Sequence, residues 1–285
     1  MAALMSEGER AWVLEGVATG VRGDGRKAED FRRIAIETGV IPQANGSAKV
    51  SLGDTQVLVG VKAELATPSP DAPDRGFLRF SVECPAVASP MYIGKRGQEA
   101  ANELAQSLER ALGAGKSGRG AAIDLSTLKI VSGKACWAVW VDCIVLSNSG
   151  STIDACSIGV RAALMGTRMP KVSVADESSS EPEIEVDDEP GSAWPLDTAN
   201  VPLVVSVHAL GPRAVVDCTA VEEACASCAV EVCVDDGGRV VGVSQRGGSV
   251  PLQVLSEMRE CGRAAGARLG RAVARFVATG KEVTA

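Results

Sequence analysis

Apolar and polar residues alternate from Gly46 to Leu52 and again from Thr55 to Glu64, the period of half-buried β-strands. The Gly53-Asp54 pair between them predicts a hairpin. Phe31 to Ile36 reads as a further strand, and Phe77 to Cys84 as one that closes a small antiparallel sheet. Residues 66–75 hold three prolines, which lack the amide a central ladder needs, so they form a loop. Two helices go with these strands. One spans residues 6–18 with Trp12, Val13 and Val17 as its apolar side; the other runs from Glu99 to Leu112, with Ala100, Leu104, Leu108 and Leu112 on one stripe.

The densest apolar run, Cys136 to Ser147, has aromatic and β-branched residues and no proline, so it is expected to be a strand buried on both faces. A polar turn follows, Asn148 to Thr152. Behind it Ala155, Ile158, Ala162 and Met165 form a helical stripe within Ile153–Thr167. Ser151 or Thr152 is expected to cap that helix by accepting from its free first-turn amides. A strand from Lys171 to Ala175 comes next. Strands at 203–209 and 214–218 then flank Gly211-Pro212, and Cys225–Val234 pairs with Arg239–Ser244 across the turn at 235–238. A last helix from Pro251 to Phe276 turns Leu255, Met258, Ala265, Leu269 and Phe276 inward. Sheet plus helix occurs twice, which predicts a duplicated α+β body. The expected divisions are a helical extension at 1–19, a first half at 20–175, a linker at 176–195 and a second half at 196–285.

The formal net charge of -7 argues at first against a nucleic-acid partner. Its distribution changes that. Eight acids and no base lie between Asp176 and Pro190, and without them the rest of the chain is near neutral. Composition predicts a flexible loop there. No apolar run reaches the roughly 20 residues of a membrane helix, and Glu7, Glu9 and Arg10 interrupt any secretory signal. Nine cysteines, scattered through apolar runs, read as reduced thiols used as small core residues.

Several stretches invite chemistry. Gly115-Lys116-Ser117 lacks the earlier glycine of a phosphate loop and follows a helix where a strand is needed, so it is read as a helix stop. Cys225 and Cys228 have the spacing of half a zinc site, but no second pair exists and His208 is the only histidine. They read as buried thiols. Asp217, Glu222 and Glu223 follow a strand and are of the type that holds a divalent metal, against the simpler reading of turn and strand-end residues. Lys95-Arg96 is a short basic loop ahead of a helix, able to contact phosphates.

In order along the chain stand Arg22-Gly-Asp-Gly-Arg26, Gly46-Ser-Ala-Lys-Val50, Leu52-Gly-Asp-Thr55, Val59-Gly-Val-Lys-Ala-Glu64, Asp154-Ala-Cys-Ser157 with Ala162-Ala-Leu164, and Asp217 with Glu222-Glu223. Taken together they resemble the RNase PH family over roughly residues 20–280. Val61-Lys-Ala-Glu64, the Cys136-Trp-x-x-x-Val-Asp142 run and the acidic insertion make the chain most similar to the ring subunits of the eukaryotic RNA exosome. The resemblance implies a pair of ribosomal-S5-like β-α halves. It also implies a six-member ring with sister subunits, cap subunits, a processive exoribonuclease and RNA in a central channel.

Active members of the family use phosphate to attack the last internucleotide bond and hold it on a Gly-Ser-Arg or Gly-Thr-Arg turn. The matching residues here are Gly150, Ser151 and Thr152, so the guanidinium is missing and threonine offers no charge. Asp217 and Glu223 match metal-proximal carboxylates and are expected to be structural remnants. The resemblance therefore implies a non-catalytic subunit without cofactor or metal, in the nucleus, nucleolus and cytoplasm, with Lys95 and Arg96 facing RNA. The helix amides are expected to retain weak anion binding. The competing expectation is an active phosphorolytic enzyme that borrows Arg161 or Arg168.

Overall fold

The computed structural model describes residues 5–113, 122–175, 183–187, 189 and 191–279. The glycine tract at 115–120 and much of the acidic stretch lie outside the described residues. Helix α1 (Glu7–Thr19) opens with a capping box in which Ser6 and Glu9 exchange hydrogen bonds, and it stops at Gly20 with φ 90°. Only Val17 on it is buried, and Trp12 is 69% exposed, which corrects the expectation that Trp12 faces inward. The helix packs on α4 (Ala220–Cys225) and the end of β11 (Leu203–Leu210), with Val17 among Leu210, Val215, Cys218 and Cys225, and Trp12 lies outside that cluster.

The first sheet is built from β1 (Ile34–Thr38), β2 (Gly46–Leu52), β3 (Thr55–Ala66), β4 (Phe77–Glu83), β5 (Lys129–Val131) and β6 (Ala135–Ser147), in the order β1-β2-β3-β6-β4 with β5 beside β6. The β2–β3 hairpin closes Leu52 on Thr55 as the alternation predicts. The sheet is not wholly antiparallel, because β4 runs parallel to β6. A parallel neighbour needs a long crossover; here it contains α2 (Lys95–Leu112), packed on β4. The burial of β6 also differs from expectation. Cys136 to Val139 is buried on both faces, but beyond it Trp140, Asp142 and Leu146 are exposed.

Helix α3 (Thr152–Met165) is buried on every side from Ile153 to Leu164, because both sheets press on it. The first sheet contributes β2 and β3. The second is ordered β12-β11-β13-β14, from β11 (Leu203–Leu210), β12 (Arg213–Val216), β13 (Cys228–Val234) and β14 (Val240–Gly247). Between the strands of the two sheets, in sequence, come the short β7 (Arg168–Met169), paired with β10 (Trp194–Pro195), and β8 (Lys171–Val174), paired with β9 (Ile184–Asp187). The described part of the acidic stretch thus holds a paired strand, where composition predicts a loop. β12 pairs only with Val207–Leu210, leaving the start of β11 without that neighbour. Side chains of α3 replace it: the Ser206 amide donates to Asp154 Oδ1 at 2.7 Å and the Val204 amide to Ser157 Oγ at 2.8 Å.

The second sheet is backed by α5 (Leu252–Thr279), while α4 (Ala220–Cys225) separates β12 from β13. Cys225 therefore ends a helix rather than opening a strand, and Cys228 starts β13; both are free and buried. His208 lies inside β11, not at its end. One continuous apolar core joins residues of both sheets with α2, α3 and α5. Among the described residues no helix is long and apolar enough to cross a membrane.

Candidate functional site

The turn from Asn148 to Thr152 leads into α3 through two left-handed residues, Gly150 (φ 96°) and Ser151 (φ 51°). Gly150 can be nothing larger, since a Cβ there would stand 2.4 Å from the Cys218 carbonyl oxygen and 2.5 Å from the Ala220 nitrogen. Backbone of the β12–α4 connection is packed straight onto the turn, and the Ala220 amide donates to the Ser149 carbonyl at 2.9 Å. Neither hydroxyl caps the helix as expected. Ser151 Oγ donates to the Cys218 carbonyl at 3.1 Å, and Thr152 Oγ1 to Asn148 Oδ1 at 2.9 Å.

Two amides of the turn are occupied. The Gly150 amide donates to Asn148 Oδ1 at 2.9 Å and the Ser151 amide to Glu223 Oε1 at 2.7 Å. The chain's own carboxylate therefore sits at the positive end of α3. Burial, opposed by the Ser151 amide and Arg32, holds the Glu223 carboxyl above its usual range.

An arginine does reach the turn, one that neither the motif nor the spacing points to. Arg32 donates from Nη1 to the Ser149 carbonyl and from Nη2 to the Gly150 carbonyl, each at 3.0 Å. The same guanidinium grips Asp217, with Nη2 at 2.6 Å from Oδ1 and Nε at 3.0 Å from Oδ2. Asp217 is fully buried, at φ 47°, and also accepts from the Arg32 amide at 2.6 Å and from Arg26 Nη1 at 3.0 Å. A carboxylate held by two guanidiniums and an amide has little left for a metal. Glu222 is likewise bound, by Arg22 through Nε at 2.8 Å and Nη2 at 2.7 Å, and it completes a capping box with Thr219. Burial alone would raise its carboxyl; Arg22 and Thr219 carry it below the usual range.

His208 lies beside this network, with Nε2 3.9 Å from Glu223 Oε1. Burial, then Arg246, lowers its imidazole to about 4, so the ring is neutral at pH 7. Arg26 Nη2 and His208 Nδ1 are the two buried polar atoms of this network that lack a partner among the described residues.

The other two arginines considered for the site are elsewhere. Arg161 is buried nine residues into α3, where its Nη2 pairs with Asp236 of the β13–β14 turn. Arg168 is exposed on β7. Lys95 and Arg96 are exposed, but they are the first two residues of α2 and not a loop ahead of it. A short 3-10 turn, Pro90–Tyr92, precedes them, and Tyr92 Oη accepts from Asn148 Nδ2 at 2.7 Å. The basic pair thus starts three residues from a contact with the candidate turn.

The signal for Arg22, Arg26 and Arg32 was present as three arginines within eleven residues, facing a sequence-distant acidic trio. Spacing does not say which base meets which acid. The family models for the 3' exoribonuclease family match twice, domain 1 over residues 30–170 and domain 2 over residues 200–265. A protein of Thermococcus kodakarensis named exosome complex component Rrp42 is 39% identical over 231 residues, covering 81% of each chain. A Dictyostelium discoideum protein named putative exosome complex exonuclease RRP42 is 33% identical, covering 86% of this chain and 88% of its own. Among solved structures, a chain of the Archaeoglobus fulgidus exosome with RNA bound to the active site superposes with a TM-score of 0.77 at 30% identity, covering 92% of this chain and 96% of its own. With both halves matched and the turn, carboxylates and two-sheet frame in their expected order, this chain belongs to the RNase PH family of 3' exoribonucleases.

Proposed function

We propose that the chain is a non-catalytic ring subunit of an RNA exosome, which supports 3'-to-5' RNA processing by completing the ring and lining the RNA path. Named relatives and exosome cores support the assembly part of this reading. One observation carries the absence of catalysis: the Gly150 and Ser151 amides, Asp217 and Arg32 already bind one another or their neighbours. Phosphorolysis needs a phosphate held and aimed at the scissile bond. Here the anion's place is taken by Glu223, and the nearby guanidinium is neutralised by Asp217. Sister ring subunits, cap subunits and a processive exoribonuclease are the partners of this reading, with residence in nucleus, nucleolus and cytoplasm.

Lys95 and Arg96 are the RNA contacts of this proposal. Cations in the first turn of a helix oppose its dipole, at a cost of about 0.3–1 kcal/mol, so helix stability does not explain them. Removing both should weaken RNA binding in the assembled complex and flatten its salt dependence by about 0.7 for each phosphate no longer neutralised. The test of catalysis uses the purified chain, labelled RNA and inorganic phosphate. No nucleoside diphosphate should form, and Thr152→Arg should not restore it. Diphosphate release by the purified chain would overturn the reading.

A further inference from the structure

The segment from Cys84 to Gly94 joins β4 to α2 and leads directly into the exposed Lys95 and Arg96. One residue, Asn148, ties it to the turn at the start of α3. The Asn148 amide donates to the Ala88 carbonyl at 3.1 Å, and Nδ2 donates to Tyr92 Oη at 2.7 Å. Its Oδ1 accepts from the Gly150 amide and from Thr152 Oγ1, each at 2.9 Å. A backbone amide can only donate, so the Gly150 bond fixes which end of the carboxamide faces Tyr92. Asn148 therefore holds both segments at once.

Tyr92 is the only tyrosine of the chain and is 7% exposed. Its ring belongs to the apolar core, where a phenylalanine would fill the same space. What the hydroxyl adds is the bond to Asn148, and the backbone around Tyr92 shows what that bond controls. The 3-10 turn is closed by Ser89, whose hydroxyl accepts from the Met91 amide at 3.2 Å and whose carbonyl accepts from the Tyr92 amide at 3.0 Å. The first turn of α2 lies hard against it. A Cβ on Gly97 would stand 2.5 Å from the Tyr92 carbonyl oxygen and 2.8 Å from that of Cys84. Lys95 and Arg96 are the two residues before Gly97, and no side chain caps α2 to hold them. Their place is set by the packing of α2 on Tyr92.

We propose that Tyr92 is a positioning residue for RNA: its hydroxyl, through Asn148, holds Lys95 and Arg96 at a fixed distance from the turn at α3. The proposal rests on the reading that this pair contacts RNA. Two cations on a backbone free to shift must be ordered when phosphates bind, whereas cations on a tied backbone avoid part of that cost. Tyr92 acts through the pair, since its own side chain is buried.

The test uses the assembled complex, a labelled single-stranded RNA and a salt titration. Tyr92→Phe removes one oxygen and keeps the ring in the core. It should weaken RNA binding by about threefold to tenfold, the worth of one hydrogen bond, and flatten the salt dependence as removal of both cations does. In a variant already carrying Lys95→Ala and Arg96→Ala, Tyr92→Phe should change nothing further. A merely structural tyrosine would weaken both backgrounds alike, and that result would overturn the proposal. Asn148→Ala breaks the tie from the other end and should also weaken RNA binding. Binding that is lost with the two cations yet kept in either Tyr92→Phe or Asn148→Ala would overturn the proposal alone. Binding that survives removal of both cations would overturn the reading of the pair as RNA contacts, and the proposal with it.

Discussion

The turn at the start of α3 and the outer face of the first sheet both carry clustered charge, and they dispose of it differently. At the turn, Asp217, Glu222 and Glu223 each meet an arginine or a backbone amide at hydrogen-bond distance. On the sheet face, Asp142 has no such partner and an unfilled groove adjoins it. A carboxylate whose cation comes from the same chain braces the fold, whereas an exposed one without such a partner contributes little to it. By that measure the corner at the start of α3 is braced from within, whereas the sheet face is not.

The sharpest way to break this comparison is to remove the brace. Asp217→Ala leaves the partly buried Arg32 without its carboxylate and Arg26 with Asp24 alone, and should destabilise the chain by about 3 kcal/mol in chemical denaturation. Glu64→Ala, which removes an exposed pair on the sheet face, should leave the denaturation midpoint nearly unchanged. Equal losses would show that the two regions are not different in kind. Next in size is Gly150→Ala, whose methyl would press on the Cys218 carbonyl and the Ala220 amide in a left-handed conformation. A loss of about 1–3 kcal/mol is expected, while Gly60→Ala should be nearly neutral.

His208 sharpens the comparison by pH, because it is the only histidine. Its folded value of about 4 lies below its ordinary 6.5. Below pH 6.5 the unfolded chain takes up a proton that the folded chain refuses, so stability falls as pH falls and levels off once both states are protonated. At pH 5 the loss should be about 2 kcal/mol relative to pH 7.5, and His208→Gln should remove it. Glu223 acts with the opposite sign. Its raised carboxyl penalises the fold when ionised, and that penalty fades as pH falls through its folded value, so part of the histidine loss is offset. The difference between the profiles of the unaltered chain and His208→Gln isolates the histidine, and no difference from pH 7.5 to 5 would mean that His208 is solvated and the corner open.

Much of the frame was legible because faces repeat. Alternation located β2, β3 and the hairpin at Gly53, and four-residue stripes located α2 and α3. Direction was not legible: Phe77–Glu83 has the same alternation whether it runs parallel or antiparallel to β6, and only the crossover through α2 decides. The burial of β6 was overread because an apolar run does not reveal that its second half has lost its cover. At the site, the missing guanidinium at Thr152 was visible from the family motif. The Arg32 grip on Asp217 was not, since it joins residues 185 positions apart and neither neighbourhood names the other. Trp12 shows the remaining gap: helical period gives a stripe, but whether anything lies against that stripe depends on what the rest of the chain packs there.

The smallest expected effect tests the openness of the sheet face directly. Neighbouring residues of β6 alternate between a buried and an exposed side of one strand, so backbone, register and hydrogen bonding stay constant while the environment changes. Val141→Ala, on the buried side, should cost about 2 kcal/mol through lost burial and the space left behind. Trp140 is 38% exposed on the groove side and sits opposite the exposed Lys62, so Trp140→Ser should remove a large aromatic with a change of about 0.5 kcal/mol in the isolated chain. A stability loss near that of Val141→Ala would show that Trp140 already has a covering partner within this chain, and the groove would then be part of the core.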